Sequence, residues 1–298
     1  MKSNHSTGYL FAFGASLALA SSFVFSKSVL YQISIIQFGL CWFGMGVIWN
    51  GSWFLFRADY RGLREQFREK TILGLLIAIL EGLATGLFYL AIQAMENPAV
   101  VSFIGSIGPV FVIIMGYLLL KERFNRWQLT GIFVTVGGVF LISYRQGGLE
   151  GLLQPGSAYV ILASLLFAIA TITGRKYQAL LVPGYMSLLR SLLLAITFFI
   201  LFIVYSEELP VNPGAWKNLA IGSVLETLIT IIFAYKALKL IEATKTSLII
   251  STKGLWTLLL AWIFLGVFPS NLQLAGGIMT LLGVWLITRK DLPTIQQG

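Results

Sequence analysis

The amino-acid sequence predicts an all-α integral membrane protein of ten transmembrane helices, arranged as two inverted five-helix repeats. Three observations predict it. Hydrophobic residues make up 57% of the 298 positions and charged residues only 11%, about half the charged share of a soluble domain. The apolar residues fall in ten runs, most of them long enough to cross a hydrocarbon layer of about 30 Å, which takes about 20 helical residues. The second half of the chain also repeats the first.

The expected spans are 8–30, 34–56, 71–94, 98–120, 126–143, 157–177, 184–206, 214–239, 244–266 and 270–288. Each must be a helix, because lipid offers no partner for a free backbone N–H or C=O. The first run is too long for a cleaved signal, and no small-residue cleavage site stands out. Trp53, near the end of the second span, and Trp127, at the start of the fifth, are expected interface anchors. The third span carries one charge, Glu81. In the fourth span stands "GSIGP", Gly105–Pro109. Pro109 has no amide N–H and its ring clashes with the Gly105 carbonyl, so a kink is expected at Gly105, Gly108 and Pro109. Arg190 lies about six residues into the seventh span, and is expected to snorkel or to line a cytoplasmic vestibule. Lys27 and Arg175 lie near span ends and are also expected to snorkel. The ninth span carries "STKG", with Gly254 matched to Gly108 but no proline. A kink in the first half is therefore expected where the second half has a lysine.

Basic residues fix the orientation. Ten spans put both termini on one side. That side has Lys2, Arg57, Arg61, Arg64, Arg68, Lys70, Lys121, Arg123, Arg126, Arg175, Lys176, Lys236, Lys239, Lys245, Arg289 and Lys290. The other side has Lys27, Arg145 and Lys217. Sixteen against three makes the first side cytoplasmic by the positive-inside rule. The net charge of +9 is thus a membrane-orientation signal, and no nucleic-acid partner is expected. Cys41 is the only cysteine and His5 the only histidine. No disulfide, metal centre or histidine catalysis is expected.

The repeat has a register of its own. "QLTGIFVTVGGVFLIS" at 128–143 and "QLAGGIMTLLGVWLIT" at 273–288 agree at eight of sixteen positions. "LEGLATGLF" at 80–88 matches "LETLITIIF" at 225–233 at the same shift of 145. A one-residue slip then pairs Tyr89, Ala91 and Glu96 with Tyr235, Ala237 and Glu242, and "ASL" occurs at 15–17 and 163–165. The halves are 1–150 and 151–298. Five spans is an odd number, so the halves enter the membrane from opposite sides, as in many secondary transporters. Gly131 and Gly138 match Gly276 and Gly283, and close helix packing is the expected role of all four.

Chemistry concentrates at the bilayer centre. At 1.5 Å per residue, Glu81 lies about 15 Å deep and Glu226 about 18 Å deep, from opposite faces. Each heads Glu-x-x-x-Thr-x-x-Phe: Glu81, Thr85, Phe88 and Glu226, Thr230, Phe233. Offsets of four and seven share one helix face, and a face of acid, hydroxyl and aromatic is expected to point inward. Lys253 lies nine residues into the ninth span. A charge at this depth costs at least about 2.5–3.5 kcal/mol and marks a functional site by default. The bland alternative is a structural pair of Lys253 with one glutamate. That pairing leaves a surplus acid, suited to a proton or a cationic group. Trp256, Trp42, Phe103 and Tyr89 are candidate pocket walls.

The stretch 91–143 resembles the EamA-type repeat of the drug/metabolite transporter superfamily. The likeness lies in Pro109, "KER" with Glu122, "QLTG" and the late "GGVFLI". The second half keeps "QLAGG" and "GVWLIT" but lacks the proline and has Phe268 in place of the glutamate. The resemblance implies ten helices in an inverted repeat and a central cavity lined by helices one, three, four, six, eight and nine. It implies alternating access in a bacterial inner membrane. Its members move amino acids, nucleobase-like compounds, quaternary amines, nucleotide sugars and other small metabolites, often outward. Glu81, Glu226 and Lys253 lie outside the general family pattern.

The expected function is secondary transport of a small polar metabolite, first an amino acid or amino-acid-like compound. Lys253 would hold a carboxylate, and Glu81 or Glu226 an amine or a coupling proton. A cationic amine or drug is the alternative substrate. A non-transporting scaffold or lipid-handling protein is the alternative class. No G-x-x-x-x-G-K-[ST] occurs, so no ATP site or other cofactor is expected. A clustered catalytic set and a filter-like loop are likewise missing from the sequence, against an enzyme and a channel.

Overall fold

The computed structural model describes residues 2–30, 32–57, 71–94, 105, 107–143, 156–178, 182–209, 213–265 and 270–288. The basic segment 58–70, Glu96, Phe103, Arg145, Phe268, Arg289, Lys290 and the side chains of Lys27 and Tyr89 lie outside the described residues.

Ten helical elements stand where the ten spans were expected. They are α1 (Lys2–Leu30), α2 (Ile35–Arg57), α3 (Thr71–Ala94), α4 (Gly108–Leu119), α5 (Arg126–Ser143), α6 (Ser157–Lys176) and α7 (Pro183–Val204). α8 runs through three segments, Pro213–Ser223, Val224–Thr230 and Ile231–Leu240, and α9 through two, Ala243–Ser251 and Lys253–Leu265. α10 is Asn271–Thr288. Among the described residues, and by length and composition alone, four runs suffice to cross a membrane: His5–Leu30, Ser157–Lys176, Pro183–Val204 and Gly214–Leu240. Ile72–Phe88, Gly108–Leu119 and Leu274–Ile287 are shorter apolar helices.

The packing carries the inversion. α2 packs on its counterpart α7, and α5 on its counterpart α10. The α3–α6 contact is mirrored by α1–α8, and α4–α6 by α1–α9. α5 and α10 approach closest, and they run antiparallel. A Cβ at Gly131 would stand 2.7 Å from the Gly283 carbonyl oxygen, and one at Gly138 would stand 2.6 Å from that of Gly276. Only a residue without a side chain permits backbones this near. These glycines are packing positions, as their seven-residue spacing indicates.

The expected kink differs. Pro109 lies in the first turn of α4, a helix that begins at Gly108, with Ile107 as its N-cap. The missing N–H is no loss there, since first-turn amides have no intrahelical partner. The second half is broken too, although it has no proline. Thr252 interrupts α9, and the Leu255 amide donates back to its carbonyl at 3.0 Å. Ser16 of α1 holds this break: its Oγ lies 2.9 Å from Thr252 Oγ1 and donates to the Ile250 carbonyl at 3.2 Å. Gly254 falls in the first turn after the break. The two halves therefore share an interruption at matching places, one started by proline and one tied by hydroxyls.

Candidate functional site

The interior charges meet at one guanidinium. Arg190 of α7 places Nε 3.5 Å from Glu81 Oε2 and Nη2 3.1 Å from Glu226 Oε1. Glu81 comes from α3 in the first half, and Glu226 from α8 in the second. Arg190 does not snorkel: it is 4% exposed, with its guanidinium 5.7 Å from the Phe43 ring centroid. The surplus acid left by a Lys253–glutamate pairing thus has its cation. A chain placing two carboxylates and one lysine at this depth needs one further positive charge, and Arg190 is the one other basic residue counted on neither side of the membrane. Counting depth from the start of the span hid that signal.

Each carboxylate also receives a neutral donor from the opposite half. Tyr235 Oη of α8 donates to Glu81 Oε1 at 3.0 Å. Trp42 Nε1 of α2 donates to Glu226 Oε2 at 2.6 Å. Trp42 is fully buried, tilted on Phe38 at 4.7 Å, and its ring lies directly over Gly222. Glycine at 222 lets the indole reach along α8 to the carboxylate. Arg190 Nη2 also stands 3.5 Å from Thr85 Oγ1, while Thr85 donates to the Glu81 carbonyl at 2.8 Å.

Glu226 sits in a π-helical segment, Val224–Thr230. Such segments open the helical ladder and recur at functional sites. Thr230 Oγ1 donates five residues back, to the Leu225 carbonyl, at 2.8 Å. The Thr227 carbonyl accepts from Ser187 Oγ and from Asn50 Nδ2 at 3.3 Å. Asn50 is anchored by its bond to the Gly46 carbonyl at 2.8 Å. Neighbouring helices therefore satisfy a backbone group that the wider turn presents. The shared Glu-x-x-x-Thr pattern is α-helical in α3 and π-helical in α8, a difference that the pattern itself does not predict.

The remaining expected residues spread around this centre. Lys253 opens the second segment of α9, with Nζ 5.5 Å from the Phe23 ring centroid, and it interacts electrostatically with Glu226. Arg190, not Lys253, is the close cation of both acids: it donates to Glu226 at 3.1 Å and is ion-paired with Glu81. Trp256 Nε1 is buried without a hydrogen-bond partner among the described residues. Phe233 packs on α1, edge to face with Phe11 at 5.3 Å and against Gly14. Phe88 lies beside Gly105, at van der Waals distance from where a Cβ would stand. Thr230 is buried in the π segment.

A second inter-half contact lies near the cytoplasmic end of the predicted topology. Glu122, in the loop after α4, is buried. It accepts from the amides of Ala243 at 2.9 Å and Thr244 at 3.4 Å. A carboxylate of the first half thus caps the N-terminus of α9 in the second, where the free amides favour negative charge. Beside it, Lys245 pairs with Glu242 at 3.2 Å.

Ten apolar helices in two inverted repeats, with a buried cluster of charges drawn from both halves, define a multi-pass membrane transporter fold. The model of the EamA-like transporter family matches the chain twice, over residues 6–144 and 154–289, and the chain belongs to that family. It is similar to an uncharacterized transporter of Synechocystis sp., 26% identical over 272 residues, 86% of this chain and 75% of the relative. An uncharacterized transporter of Archaeoglobus fulgidus is 28% identical over 189 residues, 61% of this chain and 64% of that one. A solved crystal structure superposes with a TM-score of 0.80 at 15% identity, covering 95% of this chain and 97% of its own, a likeness of fold.

Proposed function

We propose that the protein is a secondary active transporter that exports a small zwitterionic metabolite, an amino acid or amino-acid-like compound, from the cytoplasm. The halves 1–150 and 151–298 rock about the central charges in the inner membrane, with both termini cytoplasmic. One observation carries this reading: Glu81 and Glu226 converge on one guanidinium, with Lys253 beside them. A zwitterion needs both signs of charge within one site. Its ammonium goes to Glu81 or Glu226 and its carboxylate to Lys253. A proton exchanging on either glutamate gives the coupling. Removing one partner of a buried pair costs about 3–5 kcal/mol, so substitution of either acid should be strongly felt.

A cationic amine is the second reading. Arg190 over Phe43 and Lys253 over Phe23 show that aromatic faces here accept positive charge.

Uptake into proteoliposomes tests both. Amino acids and cationic amines are supplied with and without a pH gradient, to wild type and to Glu81→Gln, Glu226→Gln and Lys253→Met. Uptake should fall by about tenfold or more in the glutamine variants, the loss expected when one charged contact goes unmade. Lys253→Met should lose carboxylate-bearing solutes and keep simple amines. Wild-type behaviour in all three sinks the site, and no solute moved under any gradient favours a scaffold.

A further inference from the structure

We propose that the two interior acids have different tasks: Glu81, with the Tyr235 hydroxyl, is the exchangeable acid, taking a proton and the solute ammonium in turn, and Glu226 is a permanent anion held to Arg190. The proposal rests on the zwitterion reading above and assigns the acid that this reading leaves open.

Access does not separate the two, since the side chains of Glu81 and Glu226 are 13% and 15% exposed. Their partners do. Glu226 is hydrogen-bonded by groups that only donate. Trp42 Nε1 donates to Oε2 at 2.6 Å and Arg190 Nη2 to Oε1 at 3.1 Å. Neither an indole N–H nor a guanidinium accepts a hydrogen bond. A proton on Glu226 would weaken both bonds and find no acceptor in either partner. Glu81 meets a group that works both ways. Its Oε1 accepts from Tyr235 Oη at 3.0 Å, and a phenol both donates and accepts. The hydroxyl donates to the ionised carboxylate and, once turned, accepts from the carboxylic acid. The Arg190 contact to Glu81 is an ion pair of 3.5 Å, longer than the bond to Glu226. A proton therefore exchanges on Glu81 while its hydrogen-bond partner stays in place.

Charge argues the same assignment. Among the described residues, the charged and titratable groups that face Glu81 are Arg190 from α7 and Tyr235 from α8. α6, also packed on α3, has no titratable residue between Tyr159 and Arg175, and Tyr185 of α7 lies against Gly74. Glu226 already has two cations, Arg190 at 3.1 Å and Lys253, coupled to it electrostatically. With Glu81, Glu226, Arg190 and Lys253 all ionised, the cluster sums to zero, and a bound zwitterion leaves it at zero. Ammonium on Glu226 would bring a third cation to that carboxylate. Ammonium on Glu81 instead gives three pairs: ammonium with Glu81, solute carboxylate with Lys253, and Arg190 with Glu226. A proton on Glu81 fills the place of the ammonium, so the two exclude each other. The ammonium binds as the Glu81 O–H breaks, and the proton leaves to water.

The test uses the full-length protein in detergent and an amino acid bound by the wild type. Affinity and proton release on binding are measured from about pH 5 to about pH 8, a span in which buried glutamates titrate. Wild type should release up to one proton per solute, and its affinity should fall by about tenfold per pH unit on the acid side of that release. Glu226→Gln should bind more weakly and still release. Glu81→Gln should release nothing. Tyr235→Phe should release with a shifted midpoint. A second measurement serves variants that bind too weakly: infrared difference spectra of the solute-free protein between the two ends of that range, in a Glu122→Gln background that removes the buried Glu122 carboxyl. A protonated-carboxyl band should appear at the acid end, persist with Glu226→Gln and vanish with Glu81→Gln. A band lost with Glu226→Gln instead, binding by wild type without proton release, or release surviving in Glu81→Gln overturns the proposal and leaves the zwitterion reading in place. An unshifted midpoint in Tyr235→Phe overturns the part given to Tyr235. No binding of any amino acid by the wild type overturns the zwitterion reading, and this proposal with it.

Discussion

At the scale of single residues, the site is a set of crossed contacts. Tyr235 of the second half serves Glu81 of the first, and Trp42 of the first serves Glu226 of the second. A hydrogen bond to a charged group contributes about 1.5–3 kcal/mol. Tyr235→Phe deletes one donor and keeps the ring, and Trp42→Phe deletes the other and leaves a smaller ring in place of the indole. Each should lower the melting temperature in detergent and raise the KM for uptake, the first through Glu81 and the second through Glu226. Melting and KM equal to wild type would show that these donors leave the carboxylates untouched. The glutamates were legible because a carboxylate is conspicuous in an apolar run. Their donors were less so: Trp42 was legible only as a candidate pocket wall and Tyr235 only as the repeat partner of Tyr89, since an aromatic residue in a span reads equally as lipid-facing and tertiary packing selects the donor. Arg190 was visible as a charge but misplaced, because long side chains in spans commonly snorkel and a sequence shows no partner to stop them.

At the scale of elements, the same motif takes two local forms. The π segment around Glu226 is held by Ser187 and Asn50, which lie 40 and 177 residues from Thr227 in sequence. A local pattern cannot report such distant support. Pro109 was legible as a break, but whether a proline bends a helix or starts one depends on the turn before it. The glycines of α5 were read correctly, since the repeat placed them opposite glycines of the same face. They separate two kinds of substitution. Gly138→Ala puts a Cβ 2.5 Å from the Thr280 amide nitrogen, a backbone atom that yields only if the helices part, and should cost about 1–3 kcal/mol or more. Gly86→Ala meets nothing within 4 Å and should gain up to about 1 kcal/mol from helix propensity. Thermal unfolding of both in one detergent checks the opposite signs.

At the scale of the whole molecule, Glu122 fastens one half to the other through the first amides of α9. Burial pushes its carboxyl above the usual glutamate value, outweighing the pull of the two amides. An acid raised by folding contributes stability that is complete below its unfolded value of about 4.3 and is lost as pH rises through the folded value. Wild type should therefore lose melting temperature more steeply than Glu122→Gln as pH rises from about 4.3 through that raised value. Equal slopes would remove Glu122 from the inter-half contact. The large-scale plan was the most legible part of the chain, because ten spans and an odd-numbered repeat dictate the inversion by counting. What the halves do to each other was not, because a contact such as Glu122 to Ala243 has no counterpart in the repeat.

The seam of α5 and α10 is reciprocal. Gly138 meets Thr280 as Gly283 meets Thr135, so exchanging the two helices returns the same contact. That is the geometry of a two-fold homodimer. Between two separate copies of one half, every mutation at such a seam would strike twice and always in matched positions. Joined in one chain, the copies mutate independently while the glycine seam still holds them in register. Lys253 can then stand where the first half has Ile107, and Glu122 where the second has Phe268. A symmetric frame thus carries an asymmetric set of charges.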